Sequence, residues 1–96
     1  PEGEAKLFEF IRKNTVYPAN DRQNEKEGTA YISFIIEKSG ELTAIKLMEG
    51  AESRCTNAMA DEAIRVVKLF PKWIPGKIDG VPVRVLYKLP IKFKLY

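Results

Sequence analysis

Any catalysis by this chain would have to proceed without histidine, because its 96 residues contain none. That removes the most frequent general base, a leading metal ligand and the usual activator of a serine or cysteine nucleophile. The single cysteine, Cys55, has no second thiol to bond with and no imidazole to make it reactive. Its place just ahead of a helical stretch fits a small packing residue. Four carboxylates come in close pairs, Glu25 with Glu27 and Asp61 with Glu62. The first pair falls in a polar loop. The second falls near a helix start, where acids are favoured whatever else they do. Neither is set apart for acid–base work. Gly76 and Gly80 flank a turn with no helix behind it, so no phosphate-cradling loop is formed. These residues predict a binding protein rather than an enzyme, with no cofactor, no metal and no small-molecule substrate.

The stretch that asks for a function is "FPKWIPGKIDGVPVRVLYKLPIKFKL", residues 70–95, with four prolines, the only tryptophan and alternating apolar and basic residues. Charge is skewed toward it. Residues 63–96 carry eight basic side chains and one acid, Asp79, whereas residues 1–62 carry twelve acids and eight bases. The C-terminal third is therefore +7 and the remainder −4, which directs an acidic or polar partner to the last strand or guards that strand against self-association. Trp73, bracketed by Pro71 and Pro75, reads as a ring packed over the end of a sheet on a loop whose path the prolines restrict. Arg84, Lys88, Lys92 and Lys94 share a face with Tyr31, as in sheet-based RNA binders, but one tyrosine is a thin stacking platform and no nucleic-acid partner is expected.

The elements that must carry these residues follow from periodicity. "EGEAKLFEFIRKN" (2–14) reads as an amphipathic helix with Leu7, Phe8 and Ile11 on its stripe, Glu2 and Glu4 at its positive end, and Arg12 and Lys13 at the other. "TVYP" ends it, since the residue before Pro18 is driven out of the helical region. Residues 19–28 read as a polar loop. Residues 29–37 form a strand with Ala30, Ile32, Phe34 and Ile36 on one face, "KSGE" turns the chain, and 42–49 returns. Leu42 is out of step with Ile45 and Leu47, which predicts a bulge near Thr43–Ala44. A second helix spans roughly 56–70 with Met59, Ala63, Val66, Val67 and Phe70 inward, and Pro71 stops it. Residues 71–80 connect to a last strand over 81–95.

The fold class predicted is α+β, element order αββαβ, one domain over 1–96. The first two strands make a hairpin. The second helix returns the chain, by a right-handed crossover, so that the last strand runs antiparallel to the first. The sheet order is second–first–last, with two helices on one face. The proline-free central strand and the edge prolines Pro82 and Pro90 agree with this. No apolar run approaches the roughly 20 residues that span a membrane, and a chain that starts at Pro1 reads as a piece or a processed product.

On these residues the chain resembles the C-terminal domain of TonB-family energy transducers of Gram-negative bacteria. The resemblance runs through "FIRKNTVYP", "EGTAYISFIIEKSGELTAIKLMEG", "MADEAIRVVKLFPKWIPGK" and "GVPVRVLYKLPIKF". It departs at Met59-Ala60, where a leucine–aspartate is usual, and in the loop 50–55. The resemblance implies a periplasmic domain, tethered through an upstream inner-membrane helix to proton-driven motor proteins. Such a domain captures the TonB box of outer-membrane TonB-dependent transporters by β-augmentation on its last strand. It implies partner-binding roles for Arg84, Leu86, Lys88 and Pro90 on that strand, flanked by Tyr17, Pro18, Asn20 and Arg22. Two other readings stay open at this point: the sensory or docking tail of a larger membrane protein such as an antibiotic-sensing membrane peptidase, and a TolA-like scaffold domain.

Overall fold

The computed structural model of the chain describes residues 2–48 and 53–95, with side chains from Leu7 onward. The expected roles of the Glu2 and Glu4 side chains and the start of the loop at 50–52 lie outside the described residues. The elements are α1 (Glu2–Asn14), α2 (Ala19–Gln23), β1 (Gly28–Ile36), β2 (Leu42–Leu47), α3 (Asn57–Lys68), β3 (Gly76–Ile78), β4 (Val81–Val83) and β5 (Val85–Phe93). The three-stranded sheet has order β2-β1-β5, both pairings antiparallel. This is the predicted α+β fold with its second–first–last order. No described helix is long and apolar enough to cross a membrane.

β1 is central because it can be buried on its inner face without a break. Ala30, Ile32 and Phe34 are wholly inaccessible, and Ile36 nearly so. Met59, Ala63 and Val67 of α3 and Leu89, Ile91 and Phe93 of β5 close over them, and Leu7 and Ile11 of α1 pack at the margin. Thr56 starts α3: its backbone is extended and its hydroxyl accepts from Met59 N at 3.1 Å, satisfying one of the amides a helix start leaves open. Cys55, immediately before it, packs partly buried against the core. Its burial pushes the thiol pKa up, away from the thiolate that is the reactive form.

The bulge appears where the broken alternation of β2 puts it. Ser33 pairs with Lys46 and Ile35 with Thr43, so β2 spends one residue more than β1 there. Ala44 absorbs the excess at φ +52°.

Three features differ from expectation. Residues 19–23 form the short helix α2, because Pro18 supplies a pre-set entry and its carbonyl accepts from Arg22 N at 2.9 Å. The strand expected over 81–95 is two strands. Asp79 and Gly80 both take positive φ, +50° and +78°, the conformation that folds a two-residue hairpin. Residues 76–83 therefore close into their own two-stranded sheet, with Lys77 opposite Pro82. The ladder with β1 begins only at Val85, paired with Ile36. Pro82 accordingly lies in the small hairpin and not on the edge of the main sheet.

Trp73 covers the end of the sheet. Its ring meets Phe34 and Tyr87 edge-on at 5.4 and 5.2 Å between centroids and leans on Phe70 at 5.8 Å. Its backbone N–H donates to Gly40 O at 2.9 Å. Gly40 has φ +89°, and a Cβ there would lie 2.2 Å from the Trp73 carbonyl oxygen, so the β1–β2 turn and the loop after α3 meet at a position open only to glycine. Trp73→Ala should cost about 3 kcal/mol, the low end of the range for large aromatic truncations because the ring is only partly buried. Gly40→Ala should destabilise by at least about 1 kcal/mol through strain and overlap. Denaturant unfolding of the two variants checks both values.

Candidate functional site

Backbone direction along β1 identifies the free edge. Thr29 exchanges hydrogen bonds with Arg54 at 2.8 and 2.9 Å, Tyr31 O accepts from Met48 N at 2.8 Å, and Glu37 N donates to Glu41 O at 2.8 Å. Odd-numbered residues of β1 therefore turn their polar backbone toward β2, and even-numbered ones toward β5. The register pairs even residues of β1 with odd residues of β5, such as Ile32 with Leu89 and Phe34 with Tyr87. In an antiparallel ladder the alternate residues face away. Leu86, Lys88, Pro90 and Lys92 thus direct their backbone groups outward, where no described strand pairs with them. Pro90 lacks an N–H at one of these outward positions, so it costs the β1–β5 ladder nothing.

The same residues carry the outward side chains. Leu86 is 64% exposed, Lys88 and Lys92 are exposed, and Pro90 is half-buried. An open edge of this kind is a template for another strand, and its lysines discourage pairing with a second copy. The opposite edge, β2, is six residues long and broken by the bulge at Ala44, and so is poorly suited to the same task.

Arg84 sits at the head of the edge, in the break between β4 and β5, and is not a free cation. Its Nε donates to Glu37 Oε1 at 2.7 Å. Glu37 also accepts from Thr43 Oγ1 at 2.5 Å, and the two hydrogen bonds, Thr43 first, hold its carboxyl below the ordinary range. Arg84 and Pro90 are six positions apart, about 20 Å along a strand.

Tyr17 meets the other end of the edge. The Tyr17 ring packs edge-on against Phe93, centroids 5.7 Å apart, and its hydroxyl donates to the Lys26 carbonyl. Burial, with Glu27 and Asp21 nearby, raises its pKa. Tyr17 and Pro90 face a common groove beside α1. Pro18 opens α2, and Asn20 and Arg22 lie exposed on that helix, outside the groove lining. The structure thus joins Tyr17 with Pro90, strings Leu86 and Lys88 along the edge, and leaves Pro18, Asn20, Arg22 and Arg84 outside the groove lining.

Side chains that the sequence did not single out hold this end together. Asp21, buried, accepts from the Thr56 hydroxyl at 2.5 Å, linking α2 to the start of α3. Glu62 accepts from Val16 N at 2.6 Å and from Arg65, while Arg65 donates to Asn14 O at 2.7 Å. The segment after α1 is thereby tied to α3. The signal in the sequence was faint, because each pair is 35 to 51 residues apart. Among the described residues no cluster of three or more His, Cys, Asp or Glu could hold a metal ion.

The Glu62 tie is pH-dependent. The Arg65 hydrogen bond, followed by that from Val16, lowers the Glu62 pKa below its ordinary 4.5. A depressed carboxylate stabilises the fold above its unfolded-state pKa and loses that contribution as pH falls through the folded-state value. Glu62→Gln should therefore be less stable than the parent at neutral pH. The gap should close as pH drops below about 4, in the usual carboxylate range, and amide exchange at Val16 should quicken. Unfolding titrations at several pH values, with hydrogen exchange, check both.

Residues 13–95 match the model of the Gram-negative bacterial TonB protein C-terminal family. The chain is 30% identical over 84 residues to protein TonB of Haemophilus ducreyi, covering 88% of this chain and 28% of that protein. It therefore spans little more than a quarter of that relative. Two solution structures of the Helicobacter pylori TonB C-terminal domain superpose on it. The longer has TM-score 0.73 and 26% identity, covering 99% of this chain and 82% of that one. The shorter has TM-score 0.70 and 27% identity, covering 95% and 91%.

Proposed function

The chain belongs to the Gram-negative bacterial TonB C-terminal family, and from that premise we propose that it is a periplasmic binding domain that captures the TonB box of outer-membrane transporters as a further strand beside β5. The observation that carries this reading is the free edge of β5, where no described strand pairs with the outward backbone groups of Leu86, Lys88 and Lys92, with Pro90 among them. Backbone pairing supplies the affinity and tolerates varied partner sequences, which suits a domain serving several transporters. Lys88 and Lys92 quicken encounter with an acidic or polar segment. Affinity is modest, because the captured segment must be ordered as it binds. The domain binds and does not catalyse. An upstream inner-membrane helix would link it to proton-driven motor proteins, so that force is applied to the captured strand.

Titration of isotope-labelled protein with a synthetic TonB-box peptide tests this. Amide shifts should concentrate on 86–92 and around 17–22. Shifts confined to β2 or the helices would place the partner elsewhere, and absence of binding would favour the sensory-tail reading. A variant that removes one backbone donor, measured against Lys88→Gln so that the lost charge is matched, sharpens the test. Lys88→Pro removes an outward N–H without touching the β1 ladder, as Pro90 already does. It should leave the fold intact and weaken the peptide about three- to tenfold, the worth of one hydrogen bond.

A further inference from the structure

The groove that Tyr17 shares with Pro90 is more than a gap. It is a cavity of about 440 Å³ between α1 and the end of β5, walled by Phe8, Tyr17 and Thr15 and ringed by Arg12, Lys92 and Lys94. Three cations stand around it, and among the described residues no carboxylate is in its wall. None of the three forms an ion pair among the described residues. Among the described residues, Glu9 pairs with Lys13 at 3.2 Å and Glu27 accepts from Leu95 N at 2.8 Å, and neither lines the cavity. The Thr15 hydroxyl oxygen is buried with no hydrogen-bond partner among the described residues. A buried hydroxyl left unpaired costs stability, and like charges gathered without a counter-charge repel. Both costs are removed by one ligand type, an anion small enough to enter a partly apolar hollow.

Pro90 connects this cavity to the edge. A strand laid beside β5 can pair with Leu86 and Lys88 through donor and acceptor alike. At Pro90 it meets an acceptor only, so the added ladder weakens at the cavity's rim, where the partner chain can leave the strand path. We propose that the cavity receives an aspartate or glutamate side chain of the captured segment, next to its strand-paired stretch. The carboxylate is met by Arg12, Lys92 and Lys94, and the Thr15 hydroxyl donates to it. This rests on the β5 edge being the docking site, and it adds a sequence requirement that backbone pairing alone does not impose.

The test uses two TonB-box peptides, identical except that one is flanked at both ends by glutamates and the other by glutamines, titrated at low ionic strength. The glutamate peptide should bind about fivefold tighter, as expected for a few partly screened charge contacts. It should also shift the amides of Thr15, Lys92 and Lys94. The double variant Arg12→Gln/Lys94→Gln should erase the preference. Lys72→Gln/Lys77→Gln, which removes the same charge at exposed positions outside the cavity, should keep it. Thr15→Val should weaken the glutamate peptide about threefold, one modest hydrogen bond, while leaving thermal stability unchanged or raised, a pairing a purely structural hydroxyl would not give. If both peptides shift Leu86 and Lys88 and bind alike, the carboxylate site is refuted while the edge reading stands. A preference that persists in Arg12→Gln/Lys94→Gln refutes it as well. If neither peptide shifts Leu86 or Lys88, the edge reading fails, and the carboxylate site fails with it.

Discussion

Everything in this fold answers to the alternation along β1. Its even residues send side chains into the core, where Ala30, Ile32 and Phe34 lose all contact with water. The same residues send their backbone groups toward β5. The two facts together dictate that the odd residues of β5, Val85 to Phe93, must face inward and bond to β1. A slip of one residue would expose Leu89, Ile91 and Phe93 and bury Lys88 and Lys92, which no sheet of this size could bear. The outward edge is therefore a consequence of the core.

That consequence explains how proline and lysine can crowd a strand this close to the core. Pro90 is harmless only at an outward-facing position, and it occupies one. The lysines stand on the same outward positions, where they keep the edge soluble. An edge left open must be protected from pairing with its own copies. Charge and a missing donor protect it, since they penalise long continuous pairing.

The far end of the edge is built from residues remote in sequence. Tyr17 rests on Phe93, Asp21 bonds to Thr56, and Glu62 with Arg65 grips Val16 and Asn14. These polar ties stand where apolar packing thins, and they give the segment after α1 a defined position against the strand it flanks. The hollow beside Pro90 exists because α1 reaches the margin of the core with Leu7 and Ile11 but does not cover the end of β5.

What the sequence determined by itself was whatever rests on local periodicity and covalent restriction. The inward face of β1, the stripe of α3, the bulge signalled by misplaced Leu42, the edge character of Pro90 and the packing of Trp73 between two prolines are of this kind, because side-chain spacing and proline chemistry act within a few residues. The sheet order followed from chain direction. Tertiary structure alone decided the rest. Alternation over 81–95 is unbroken, yet β1 ends at Ile36, and the Asp79-Gly80 turn diverts Val81–Val83 into a separate hairpin. Arg84 looks like a binding cation in the sequence, but Glu37, 47 positions away, claims it. Lys94 stood out in the sequence only as one of a row of strand cations, and Arg12 and Thr15 attracted no attention as ligands, since nothing in local spacing says that the end of a helix and the end of a strand about 80 residues later will wall one cavity. Long-range juxtaposition is set by which hydrophobic faces pack together, and that information is distributed over the whole core.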